Sequence, residues 1–167
     1  AYVNIVTTPV IERNRIEAET EARTDVLPGM ALYDYQNGRS EFPYWIVYEN
    51  EDKTTVGGYV FIVRQTGYSS VISIMGGVDP DGEITGVRIL SQQETPGLGS
   101  KIEEVLHGET EPWFTRQFIG KKAEDNLRVG QDGGGIDAIT GATISSRAVT
   151  NAIDRGLERL EEVRGGI

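Results

Sequence analysis

The chain has no cysteine among its 167 residues, which excludes disulfides, thiolate metal sites and cysteine redox chemistry. Compartment does not follow from that absence, since cysteine-free proteins occur in reducing and oxidising surroundings alike. Histidine is nearly missing as well. The single copy, His107, precedes Gly108 at the end of an expected helix, a place that suits a helix-end cation better than a metal ligand. Positive charge is scarce, with 16 Lys and Arg against 26 Asp and Glu and a net charge of -10. That balance argues against nucleic acid, whose binding requires clustered cations to neutralise phosphates. A basic amphipathic segment that would hold an anionic membrane surface is missing too. The longest nearly apolar run, "VISIMGGV" at 71–78, falls far short of the roughly 18 residues that cross a bilayer. There is no dinucleotide fingerprint, no internal repeat and no nucleophile beside a general base. The opening stretch "AYVNIVTTPV" has neither an initiating methionine nor a signal peptide, which raises the expectation of a targeting or anchoring segment upstream.

What is present suffices for one domain with its own core. "VIERNRIEAETEARTDVL" (10–27) has no Gly or Pro, is rich in helix formers and stops at Pro28-Gly29; its apolar residues Ile11, Ile16, Val26 and Leu27 are too sparse for a wide core stripe, so an exposed helix is expected. From Tyr33 to Leu90 β-branched and aromatic runs alternate with glycine. "YWIVYE", "GYVFIVRQ", "SVISIM" and "ITGVRIL" read as strands, and "DPDG" (79–82) as a tight turn joining the last two in a hairpin. That turn also explains the acidic trio Asp79, Asp81 and Glu83, which lacks the ligand set of a calcium loop. Gly76-Gly77 reads as a bulge at the strand end or as a point of close approach to a bound ring. "GLGSKIEEVLHG" (97–108) predicts a helix capped by Ser100, with Glu103 three residues on, and "PWFTRQFIGKK" (112–122) a short helix begun by Pro112. "TISSRAVTNAIDRGLERLEEVRGG" (143–166) is the clearest helix, with Val149, Ile153, Leu157 and Leu160 at helical spacing and charges on its other face. Strands followed by helices predict an α+β fold: a single domain whose antiparallel sheet is packed by helices, with a long N-terminal helix.

Two stretches carry candidate chemistry. "DAITGATISS" (137–146) opens the last helix after a glycine run. A helix start leaves backbone N–H groups unpaired and carries partial positive charge, so "TGAT" there can seat a phosphate. Gly141 and Ala142 keep the approach open, and Thr140 and Thr143 add hydroxyls, each able in principle to be esterified by another enzyme. The competing reading makes Thr140 an ordinary helix cap and the glycines an ordinary loop. The second stretch, "SQQETPGLGSKIEE" (91–104), holds Thr95-Pro96-Gly97-Leu98-Gly99, a rigid turn whose backbone groups suit the edge of a flat heterocycle, while Leu98, Trp113 or Phe118 are available to cover its face.

Taken together, "ETPGLG", then "D-x-x-T-G-A-T-x-S" some forty residues later, and the preceding "GY…G…D…G.I.GV.IL" resemble the FMN-binding domain of the membrane Rnf complex and of the Na⁺-pumping NADH:quinone reductase, Nqr; the similarity is greatest to the G subunit of Rnf and spans roughly Gly67 to Gly156. The resemblance implies that FMN is joined through its phosphate to Thr143 by a phosphoester made by a separate flavin transferase that draws on FAD. Asp137 matches the acidic position of the transferase recognition pattern, completed by Thr140, Gly141 and Ala142. Thr95, Gly97, Leu98 and Gly99 match the loop against the isoalloxazine, with Glu94 and Lys101 nearby, Ser145 and Ser146 near the phosphate, and Trp113 and Phe118 as stacking candidates.

The implied function is electron transfer by a protein with covalent FMN, one of the subunits of a membrane ion-translocating ferredoxin:NAD oxidoreductase (Rnf). Its partners would be the other members of the complex and the flavin transferase, and no independent catalysis is expected. A tethered flavin suits electron relay between proteins rather than turnover of a diffusing substrate. Residues 1–28 are expected to be a juxtamembrane helix and 29–167 the FMN-binding domain, on the outer, periplasmic face of the inner membrane behind a single-pass anchor. Alternatives within the family are the C subunit of Nqr and a Nos-type flavin-binding regulator. Outside it, the alternatives are a non-redox module holding a phosphate ligand reversibly and a structural subunit without cofactor.

Overall fold

The structure is a computed structural model that describes residues 16–30, 32–37 and 42–165. Five strands form one antiparallel sheet in sequential order: β1 (Leu32–Asn37), β2 (Pro43–Tyr48), β3 (Val56–Thr66), β4 (Val71–Val78) and β5 (Ile84–Ser91). The α+β reading holds, and the turn at 79–82 joins β4 to β5, with Asp79 Oδ1 accepting the N–H groups of Asp81 and Glu83 at 2.9 Å. A strand missing from the sequence reading is β1, at the sheet edge.

The central strand explains why its sequence is an unbroken apolar run. Phe61 and Val63 point to one face and Val60 and Ile62 to the other, and both faces are covered. The 22-residue helix α3 (Thr143–Arg164) covers the first face with Val149, Ile153, Leu157 and Leu160, at the helical spacing read from the sequence. Burying such a side chain fully contributes about 1.5–3 kcal/mol, so this face dominates the core. The short helix α2 (Trp113–Arg116), with Pro112 as its N-cap, adds Phe114 to the same side.

The second face is covered by α1, residues 16–26, and this corrects the expectation of an exposed helix. Ala22, Val26 and Leu27 are buried against Trp45, Val47, Val60, Ile62 and Met75. A narrow stripe is enough because glycines let the helix end lie directly on the sheet. A Cβ at Gly77 would come 2.5 Å from the Val26 carbonyl oxygen, and one at Gly86 2.7 Å from Val26 Cα. The Thr85 hydroxyl then donates to the Val26 carbonyl at 2.6 Å. The register shift between Gly77 and Val78 agrees with the bulge read at Gly76-Gly77. Residues 10–15 lie outside the described residues, so a long N-terminal helix is not supported; the described helix is 16–26.

A second correction concerns 97–108. Instead of a helix there is a 3-10 turn over Gly99–Glu103, after which Glu104 turns extended and Val105 pairs with Pro112. Only Ile102 reaches the core, while Val105 and Leu106 stay exposed, so no amphipathic stripe rewards continuing the helix. His107 therefore sits in an exposed turn, not at a helix end.

Candidate functional site

Both motif stretches fold into the same kind of turn. In Thr95-Pro96-Gly97-Leu98 the Leu98 N–H donates to the Thr95 carbonyl at 3.1 Å, with Gly97 at φ +75; in Ile139-Thr140-Gly141-Ala142 the Ala142 N–H donates to the Ile139 carbonyl at 2.9 Å, with Gly141 at φ +77. The third position of each turn is left-handed, which is why glycine occupies it. The two turns face each other, since a Cβ on Gly141 would meet the Leu98 side chain at 3.3 Å.

Between them lies a cleft of about 540 Å³ lined by Glu94, Thr95, Leu98, Gly99, Gly141, Ala142, Thr143, Ser145, Tyr68 and Ile144. Its floor ends at the start of α3. The helix N-cap position falls on Ala142, and no side chain among the described residues caps it. Thr140, the expected cap, is exposed two residues earlier. The first-turn N–H groups, which have no partner within a helix, are thus left to the cleft beside the half-buried Thr143. Ser146 locks this geometry from behind, donating to the Ala142 carbonyl and accepting from Ile139 N–H, both at 3.0 Å. That buried role takes it out of the cleft, against the resemblance's implication that it lies near a phosphate.

The opposite wall is organised by Glu94, which is 5% exposed. Its Oε1 accepts from the N–H groups of Ser69 (3.1 Å) and Ser70 (2.9 Å) and from the Ser70 hydroxyl (2.8 Å); its Oε2 accepts from Tyr68 N–H (3.0 Å) and the Ser145 hydroxyl (2.6 Å). Burial opposes ionisation of this carboxyl, but the Ser145 hydroxyl, the Ser70 hydroxyl and the backbone donors override it, holding its pKa down to about 2. Gly67 and Gly99 make room, for a Cβ at either would lie under 3 Å from the carboxylate.

Other expected residues fall elsewhere. Gly97 shapes its turn without lining the cleft, and its N–H is taken by the Ser100 hydroxyl at 3.0 Å, so this loop does not offer all its backbone groups outward. Lys101 lies in the 3-10 turn behind. The stacking expectation is corrected for both aromatics: Phe118 is fully buried in the core, edge-on to Phe114, and Trp113 packs edge-on to Phe114, so neither lines the cleft. The apolar rim is instead Tyr68, Leu98 and Ile144, which are 69%, 44% and 51% exposed. A large aromatic in the tight turn "GYSS" and an isoleucine on the outward side of a first helical turn were the available signals for Tyr68 and Ile144. Asp137 is exposed; its backbone is clamped by the Gln117 side chain at 2.8 and 3.2 Å, which leaves its carboxylate at the surface.

The FMN-binding domain family matches residues 67–158, more than half the chain and the whole of this cleft. The chain belongs to the FMN-binding domain family. It is 33% identical over 176 residues to the G subunit of the Na⁺-translocating ferredoxin:NAD⁺ oxidoreductase complex of Acetobacterium woodii, covering 95% of this chain and 81% of that protein. It is 30% identical to the G subunit of the proton-translocating ferredoxin:NAD⁺ oxidoreductase complex of Clostridium ljungdahlii, with 99% and 84% covered. Against the G subunit of the ion-translocating oxidoreductase complex of Aliivibrio fischeri identity is 44% over 60% of this chain, which spans about half, 48%, of that protein. In fold the chain is similar to the C subunit of the Na⁺-translocating NADH-quinone reductase of Parabacteroides distasonis, with a TM-score of 0.57, 23% identity, and 84% of this chain and 79% of that one covered. As a member of the FMN-binding domain family the chain presents a site that fits FMN. The uncapped helix start offers N–H donors and partial positive charge to a phosphate, and the apolar rim offers cover to a ring.

Proposed function

We propose that this chain is the G-type subunit of an Rnf-class ion-translocating ferredoxin:NAD oxidoreductase and carries FMN covalently on Thr143 as an electron relay. The observation that carries the reading is the helix start at Ala142–Thr143: it has no side-chain cap, and Thr143, its first residue, lines the cleft where a phosphate could meet the helix N–H groups. In the attachment, a flavin transferase acts on Thr143 and FAD; the Thr143 Oγ–phosphorus bond forms, the pyrophosphate bond of FAD breaks, AMP leaves and the hydroxyl proton is lost. The exposed carboxylate of Asp137 and the turn at Thr140-Gly141-Ala142 are the features offered to that enzyme.

Bound FMN supplies electron exchange that no side chain here can provide. The chain's own residues hold and enclose. Gly141 and Gly97 bring two turns to the cleft edge, Ser146 fixes the helix start, and Tyr68, Leu98 and Ile144 leave an apolar lip for a ring and for the protein that exchanges electrons with it. Among the described residues no helix is long and apolar enough to cross a membrane. We place the flavin domain on the outer face of the membrane, with the other members of the complex as partners.

The test is co-expression with a flavin transferase, denaturation, and flavin fluorescence on the protein band. Wild type should fluoresce and Thr143→Ala should be dark. A dark wild type, alongside an established acceptor labelled by the same transferase, would return the cleft to a reversible phosphate site; fluorescence in both would move the attachment elsewhere.

A further inference from the structure

Glu94 is a buried carboxylate with five hydrogen-bond donors and, among the described residues, no ion-paired cation. Three of those donors are backbone N–H groups, which cannot accept a proton in return. The Ser70 hydroxyl takes the Gln93 N–H at 2.9 Å and so turns its own hydrogen to the carboxylate. Such a set of donors holds the ionised form. The charge lies on the wall of the cleft that contains Thr143, bridged by the Ser145 hydroxyl to the first turn of α3. The carboxylate accepts from all five donors, which a neutral amide could not, and it does so as a charged group. What the carboxylate adds is a fixed negative charge on a side chain that is itself buried, where Coulomb interactions are less screened than in bulk water.

We infer that Glu94 is a redox-tuning residue: its fixed charge on the cleft wall disfavours gain of electrons by a cofactor held at Thr143 and sets the midpoint potential low. The inference rests on the carrier reading above. Its logic is like-charge repulsion, since added electrons bring negative charge toward a carboxylate that the surrounding donors do not let protonate. The hydrogen bonds partly spread that charge, so removing a donor and removing the charge have opposite effects. A residue acting only as a brace would give two changes of the same kind.

The experiment is reductive titration of the flavin-loaded protein, with amide hydrogen exchange at Tyr68, Ser69 and Ser70 recorded for each variant. Glu94→Gln removes the charge and should move the midpoint potential positive of wild type. Ser70→Ala removes one donor, keeps the charge, and should move it negative. A positive shift in Glu94→Gln together with a negative one in Ser70→Ala supports tuning by charge, and the reverse pair overturns it. No shift in Glu94→Gln with its hairpin amides still protected overturns the inference, and so do shifts of the same sign in both variants. If Glu94→Gln does not fold, Ser70→Ala decides: a negative shift supports the inference, and no shift or a positive one overturns it. A wild type that takes up no flavin removes the carrier reading and this inference with it, whereas a loaded wild type with unmoved variants removes the inference alone.

Discussion

Phe61 fills a hole that two glycines leave open. A Cβ on Gly76 would lie 2.5 Å from its ring and one on Gly156 2.4 Å, while the ring itself is wholly buried between β3, β4 and α3. Two effects compete in Gly156→Ala. Alanine in a helix interior is favoured over glycine by about 1 kcal/mol, and overpacking a filled core costs about 1–3 kcal/mol. Because the ring has no solvent side to swing toward, overpacking wins. Gly156→Ala should lower the urea midpoint with an unchanged m-value, and Phe61→Leu in the same chain should recover part of the loss in a double-mutant cycle. A more stable Gly156→Ala would mean that α3 can lift off the sheet at no cost. The expectation at Gly76 is a bulge or close approach to a bound ring; the ring it meets is Phe61, which stands on another strand and also faces Gly156, far along the chain.

Among the elements, four strands were legible from their β-branched and aromatic runs, the β4–β5 hairpin from its turn, and α3 from its stripe of Val149, Ile153, Leu157 and Leu160. The misreadings have a common cause, namely local signals without a tertiary reward. Ser100 and Glu103 look like a capping pair, yet Ser100 closes the preceding turn and the chain leaves for its bridge with Pro112. β1 went unread because an edge strand such as "LYDYQN" has no clean alternation of buried and exposed positions. In α1 the apolar residues are too few to announce a buried face, and the missing information is on the sheet, at Gly77 and Gly86. That docking predicts the effect of Gly86→Ala. The new Cβ meets backbone at Val26, which cannot rotate away, so α1 should be displaced at a cost of about 1–3 kcal/mol. Its amides should lose exchange protection and the emission of Trp45, now packed under the Arg23 guanidinium at 4.8 Å, should shift red. Strand amides should stay protected, because α3 holds the other face. Loss of protection throughout the sheet would instead make α1 part of one cooperative unit with it.

At the scale of the whole molecule, the site was legible as pieces but not as a meeting. The turns at 67–70, 95–98 and 139–142 each carried a glycine signal, and nothing in their spacing announced that one carboxylate joins the first two to α3. Glu94 makes that junction, and its titration should be visible in global unfolding. Its pKa falls from an ordinary 4.5 to about 2 on folding, so between those values the unfolded chain binds the extra proton. Stability from Glu94 is then fully present above pH 4.5 and is lost as pH falls through about 2. A depression of that size corresponds to roughly 3 kcal/mol. Urea unfolding from pH 6 downward should therefore show a fall for wild type that is less steep in Glu94→Gln, which starts from lower stability because an amide cannot accept from all five donors. The other carboxylates are common to both chains, and the difference between the two curves isolates Glu94. Parallel curves would mean that the carboxylate gains nothing on folding from its five donors, and that the three segments are held together by their apolar contacts alone.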